Sequence, residues 1–236
     1  MLNVTVVDEA DMADPFALEA PSSCKILVAA PRRLRLHGAG APDRAPVERF
    51  IEQTYARAFG GRIRRHFPQL MSLQDETGRI CGAAGFRLAS DGPLFLEQYL
   101  DAPVEHVIGA GFGRVTERRA IVEIGSFACC APGSSIILFA GLARHLSNLG
   151  CDVATATTTG LLRRTFARTG FEVEVLAPAR ADRLDDGAED WGAYYEREPQ
   201  VVAGRVGPCL EALTFALSRG LRPPRLGSLQ RAEARA

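Results

Sequence analysis

A single carboxylate, Glu123, stands inside the apolar run IVEIGSFACC at positions 121–130. Burial disfavours the charged form of a carboxylic acid and raises its pKa, which suits a base working near neutral pH. Glu123 is therefore a candidate for taking a proton from a substrate ammonium. The competing reading is structural, with Glu123 paired to Arg87 or Arg119 across a sheet and only holding strands together. A second carboxylate, Glu97 in LFLEQYLD, lies between bulky apolar residues and is a candidate for binding a substrate ammonium.

Directly after the apolar run comes the small-residue turn CAPGSS and then a helical pattern. Free N–H groups and the dipole at a helix N-terminus suit a phosphate, so Gly133, Ser134 and Ser135 are candidate phosphate contacts, with a serine N-cap as the plainer alternative. Arg163 and Arg164 open the next helical pattern and could reach a phosphate or an acidic partner, although helix arginines are commonly just solvated. Trp191, Tyr194 and Tyr195 fall close together in a chain poor in aromatics; they suit the cap of an apolar tunnel, a cation site or a satellite hydrophobic cluster. His66 in RRHFP is a further polar candidate, set against the ordinary structural use of a lone histidine.

The elements that must position these residues follow from periodicity. A helix is expected in PVERFIEQTYARAFG, between an early Pro and Gly60-Gly61. PQLMSLQDETGRICGAAGFRLAS alternates about the turn DETG as a hairpin does, and its second strand delivers Arg87. LFLEQYL and APVEHVIGAG read as short helices, and RRAIVEIGSFACC as a buried central strand. SSIILFAGLARHLSNLG (helix), DVATATTT (strand), GLLRRTFARTG (helix) and FEVEVLA (strand) continue in α/β alternation, followed by a strand in QVVAGRV and a helix in GPCLEALTFALSRG. The expected fold class is α/β, with a central twisted mixed sheet flanked by helices. Residues 1–45 form an arm with a lead-in strand in CKILVAA, 46–220 a single domain, and 221–236 a polar tail.

The chain has 236 residues, 47% of them hydrophobic, and 28 basic against 28 acidic side chains. That is enough apolar material for a sizeable core, and no net field draws the chain to nucleic acid or an anionic membrane. No apolar run approaches the roughly 20 residues of a membrane span, and the acidic first residues are unlike a secretory signal, so a cytoplasmic protein without stable membrane insertion is expected. The six cysteines show no CxxC spacing and no histidine at zinc-ligand intervals, so neither a metal nor a disulfide framework is expected.

The hairpin feeding a strand-helix-strand unit resembles the acyltransferase fold of the GNAT superfamily. DETGRICGAAGFRL and VEIGSFA resemble the acyl-homoserine-lactone synthases of that superfamily, in the positions Asp75, Gly78, Gly82, Arg87 and Leu88 and in Glu123, Phe127 and Ala128. Over a longer stretch, RRHFPQL, GFRLAS, LFLEQYLD, IVEIGSFA, TATTTGLLRRTFARTGF and WGAYYEREPQVVAG resemble the thermostable haemolysin family. The acyltransferase resemblance implies a donor, acyl-CoA or acyl-phosphopantetheine on an acyl carrier protein, whose arm enters between two parting parallel strands, 121–130 and 152–157. It further implies backbone N–H groups near Phe127 and Ala128, and the hydroxyl of Ser126, facing the thioester. His66 then stands near the amine acceptor.

Where the synthases carry a Trp and a pair of Asp for adenosylmethionine, this chain has GGRIRRHFPQL, and Ser126 replaces an Arg. The turn before the helix offers only Gly133 where coenzyme A users have two glycines, which favours the single phosphate of a phosphopantetheine over a pyrophosphate. The expected function is acyl transfer from a thioester to a small amine, such as an amino acid derivative. Two other classes are carried beside it. One is a membrane-acting lytic protein, which the haemolysin name implies and which an acylated product could also account for; the other is a module that binds an acyl ligand or carrier protein without catalysis.

Overall fold

Val47, Ile51, Thr54, Tyr55 and Phe59 share one face of helix α1 (Ala45–Phe59), which ends where Gly60 takes a left-handed conformation with φ 67°. The computed structural model describes residues 33–218 except 131–132, 169 and 186–187. It also describes the short strands β1 (Thr5–Val6) and β2 (Ile26–Leu27), which pair antiparallel with each other. Most of the N-terminal arm and all of the 221–236 tail lie outside the described residues.

The other strands are β3 (Arg33–His37), β4 (Gln69–Gln74), β5 (Ile80–Leu88), β6 (Ile121–Cys129), β7 (Val153–Thr158), β8 (Glu174–Pro178) and β9 (Gln200–Arg205). They form one sheet in the order β3-β4-β5-β6-β7-β9-β8, with β6 at its centre. The β4–β5 hairpin closes as the sequence predicts. The Asp75 carboxylate accepts the Thr77 and Arg79 N–H groups, and Gly78 supplies φ 84°.

Only β6 and β7 pair in parallel; every other neighbouring pair in this sheet is antiparallel. The strand-helix alternation suggests β8 beside β7, but β9 is inserted between them. β8 itself begins at Glu174 rather than at Phe171, whose ring lies over Gly204 at a distance that leaves no room for a Cβ there. The segment read as a first short helix is a 3-10 turn, Phe95–Tyr99, followed by α2 (Val104–Phe112). β3, in RLRLH, forms an edge strand inside the stretch read as an arm.

Helices α3 (Ser134–Asn148), α4 (Gly160–Arg168) and α5 (Val206–Ser218) complete the molecule. Leu138, Leu142 and Leu146 of α3 pack with Met71, Phe86, Val122 and Phe127 on one face of the sheet. On the other face α1 covers Leu70, Ala83 and Ala128, while the 94–108 segment covers Ile121, Val153 and Val201. β6 changes phase along its length: Val122 and Ile124 face α3, and so do Phe127 and Cys129. One extra residue at Ser126, with φ 50°, makes that shift, and the β5–β6 register slips at the same place.

Candidate active site

The parallel pair at the centre of the sheet is incomplete. β6 and β7 are in register only from Ile121↔Val153 to Ile124↔Ala156, after which β6 runs on to Cys129 and β7 to Thr158 without pairing to each other. A cavity of about 810 Å³ occupies the gap. On the α3 side its wall is apolar, with Phe127, Phe139, Leu142, Leu146, Phe166 and Val206. Phe127 and Phe139 stack there with ring centres 4.2 Å apart. On the other side the wall carries Arg87, Glu123, Phe67, Phe95, Trp191 and Tyr194.

Glu123 is only 2% exposed. Its two oxygens accept the backbone N–H groups of Phe95 at 2.8 Å and Leu96 at 3.0 Å. Burial pushes its pKa up to about 7, against the opposing pull of those two N–H groups and of the Arg87 charge. Arg87 lies directly across the β5–β6 register from Glu123, yet it donates to the Pro93 carbonyl at 2.9 Å and is not ion-paired with Glu123. Arg119 pairs instead with Glu117. Neither arginine partner considered for Glu123 is therefore in place.

Beside this pair, Gly85 and Gly125 face each other across the same two strands. A Cβ at Gly125 would come within 2.5 Å of the Phe67 ring and one at Gly85 within 2.7 Å of the Phe67 Cβ. The bare backbone is what seats that ring against the sheet. Interior strand glycines signal such close approach, and this is how sequence reasoning could have found Phe67.

Ser126 lies in the cavity wall at the bulge. The Phe127 backbone makes a hydrogen bond to the Tyr55 hydroxyl, and burial pushes the Tyr55 phenol well above its ordinary range. Tyr55 also lines the cavity, and the sequence offers no signal for it beyond its place on the inner face of α1. Trp191 and Tyr194 line the cavity, Trp191 packing against Phe95 and Tyr55, whereas Tyr195 bonds to the Tyr99 hydroxyl at 2.5 Å. His66 is in the wall too, its Nε2 2.9 Å from Glu52, with Nδ1 enclosed and unpartnered. The Thr157 and Thr158 hydroxyls are likewise enclosed without a partner at the end of β7.

The remaining candidates lie elsewhere. Glu97 faces Arg118, which donates to both of its oxygens at 2.7 Å; it also accepts the N–H groups of Leu94 and Val104. The Arg118 guanidinium and those N–H groups hold its carboxyl down to about 2. The Ala128 methyl packs towards α1. Gly133, with φ 73°, is the N-cap of α3 in place of a serine, and Ser134 and Ser135 are buried behind it. Arg163 turns back onto the Thr158 carbonyl at 3.3 Å. Among the described residues no cluster of side chains is suited to a metal ion.

An open mixed sheet parted at its one parallel pair is the acyltransferase fold of the acyl-homoserine-lactone (AHL) synthases. The AHL synthase LasI superposes with a TM-score of 0.55 and 15% identity, over 78% of this chain and 95% of LasI. TofI in its apo form gives 0.52 and 18%, over 77% and 96%. FeeM, an N-acyl amino acid synthase from uncultured soil microbes, gives 0.51 and 14%, over 77% and 94%. At these identities the likeness is one of fold. No curated protein matches in sequence. The chain belongs to the thermostable hemolysin family, whose model matches residues 37–210.

Proposed function

We propose that the protein transfers an acyl chain from a phosphopantetheine thioester, on coenzyme A or an acyl carrier protein, to the nitrogen of a small amine. The observation that carries this reading is the cavity through the parted strands, apolar on one side and bearing Glu123 and Arg87 on the other. The acyl chain lies among Phe139, Leu142, Leu146 and Phe166. The thioester carbon sits in the gap near Ser126, and the amine approaches from the Glu123 side.

The amine nitrogen attacks the thioester carbon; the N–C bond forms and the C–S bond breaks. Glu123 accepts the ammonium proton, for which a carboxylate raised to about 7 is a fitting base. Each of its oxygens retains a lone pair beyond the one given to a backbone N–H. The leaving thiolate takes the second proton, which the attacking nitrogen sheds as the amide forms, and the Tyr55 hydroxyl, held neutral by burial and bonded to the Phe127 backbone, can relay it. A soluble cytoplasmic setting fits this chemistry, as does the fact that no helix among the described residues is long and apolar enough to cross a membrane.

Purified protein supplied with acyl-CoA or acyl-carrier-protein thioesters of graded length and an amine panel is expected to release free thiol, and Glu123→Gln to lower that release by about 10²–10⁴-fold. Stabilisation by acyl ligands with no thiol release would indicate a binding module. Dye leakage from liposomes by the pure protein alone would indicate direct lysis. Either result overturns the proposal.

A further inference from the structure

We propose that the acceptor amine carries a carboxylate and that Arg87 binds it, so that the substrate is an amino acid rather than a simple amine. This rests on the acyl-transfer reading above and concerns the same cavity. Arg87 and Glu123 are opposite one another across β5 and β6, with side chains on the same face of the sheet and in the same cavity wall. Unlike charges so placed ordinarily pair. Here each is held away from the other: Glu123 by the Phe95 and Leu96 N–H groups, Arg87 by the Pro93 carbonyl.

A guanidinium has five N–H donors in a planar fork, and of these Arg87 gives one nitrogen to Pro93. The remaining donors suit the two oxygens of a carboxylate, which Arg grips in bidentate fashion. Directly opposed residues on a sheet have Cβ atoms about 4.5–5.5 Å apart. The carboxylate and the amine that an α-amino acid carries on one carbon can therefore engage Arg87 and Glu123 together. Phe67, seated on Gly85 and Gly125, and Trp191 bound the space beside them.

The other arginines of this wall do not fill that role. Arg64 is taken by Asp190 at 2.7 Å, and the Arg62 and Arg65 side chains are exposed at the mouth. Arg87 is half-buried and adjacent to the proposed base, where a contact discriminates. The transfer then joins the amino-acid nitrogen to the thioester carbon, expels the thiol, and yields an N-acyl amino acid, an anionic amphiphile.

The test uses the full chain, a dodecanoyl thioester, and acceptors in matched sets of three: an amino acid, its carboxamide, and the decarboxylated amine. The wild type is expected to favour the amino acid in kcat/KM by about 10- to 100-fold, the range for a charged hydrogen-bonded contact. Arg87→Met should lower the amino-acid value by that factor, mainly through KM, so that the three acceptors converge, and Arg87→Lys should retain part of the preference. Equal use of all three by the wild type, or an equal loss on all three in Arg87→Met, overturns the proposal. If no acceptor releases thiol, acyl transfer itself fails. Thermal shifts then decide on Arg87 alone: N-dodecanoyl amino acid should stabilise the wild type more than its carboxamide, and an equal shift, or the same difference in Arg87→Lys and Arg87→Met, refutes a carboxylate site.

Discussion

Replacing Glu123 by Gln should remove the pH dependence that this one side chain imposes on folding. Its pKa rises from an ordinary 4.5 to about 7 because burial outweighs two backbone N–H groups and the Arg87 charge. The native state therefore holds the proton more tightly than the unfolded chain. Below pH 4.5 both states are protonated, and Glu123 is at its least unfavourable. As pH rises from 4.5 through 7 the unfolded chain ionises first and stability is lost; above about pH 7 both are ionised and the loss is complete. At about 1.4 kcal/mol per unit, the loss is on the order of 3 kcal/mol. Gln keeps the shape but offers only one acceptor oxygen, so one of the Phe95 and Leu96 N–H groups loses its partner, a pH-independent cost of about 1–3 kcal/mol. Urea denaturation of both proteins at several pH values from 4.5 to 8 should find the variant less stable in acid and level with, or ahead of, the wild type at pH 8. Comparing the two cancels every other titrating group to first order. A difference that does not change with pH, or one that changes in the opposite sense, would refute the premise that burial dominates at Glu123.

Three further outcomes follow from the packing and the charge network. Gly125→Ala should cost about 1–3 kcal/mol in a thermal melt through its collision with Phe67, and that cost should largely disappear in a Phe67→Ala background. Arg118→Ala leaves Glu97 and Glu105 without their guanidinium. The loss should be on the order of 2 kcal/mol at pH 7 in urea, less than for a fully buried pair. Because the Glu97 carboxyl is held down to about 2, the stability it provides is present above pH 4.5 and lost as pH falls towards 2, so the variant's deficit should shrink in acid. Leu142→Trp, at the apolar wall, should shift donor use towards shorter acyl chains when thiol release is followed across a thioester series.

The central strand was legible because one carboxylate among β-branched and small residues has few explanations, and the hairpin because Asp75 and Gly78 have a defined geometric task. The helices were legible from period and from their closing glycines. What the sequence concealed was mostly tertiary. Nothing local in QVVAGR distinguishes an inserted antiparallel strand from an edge one, so the β7-β9-β8 order depends on long-range pairing. The bulge at Ser126 is carried by a non-glycine residue at positive φ, which the residue type does not announce. Glu97 has the same chemistry as Glu123, yet Arg118 comes to it from 21 residues away. The cavity therefore unites Glu123, Arg87, Ser126 and Phe127 with Tyr55 and Phe67, and leaves Glu97 in a structural network.

Pairing of β6 and β7 over four residues only has a mechanical consequence. The sheet amounts to two leaves, β3-β4-β5-β6 and β7-β9-β8, riveted together at one end of their shared seam. Through the sheet itself, shear between the leaves passes across that rivet alone, leaving α3 and α5 to brace the rest from one face and Tyr194, packed beside Ala128 and bonded to the Thr157 carbonyl, from the other. A molecule lodged in the open seam and gripping both leaves would act as a second rivet, so occupancy should be felt as stiffness well beyond the residues it touches.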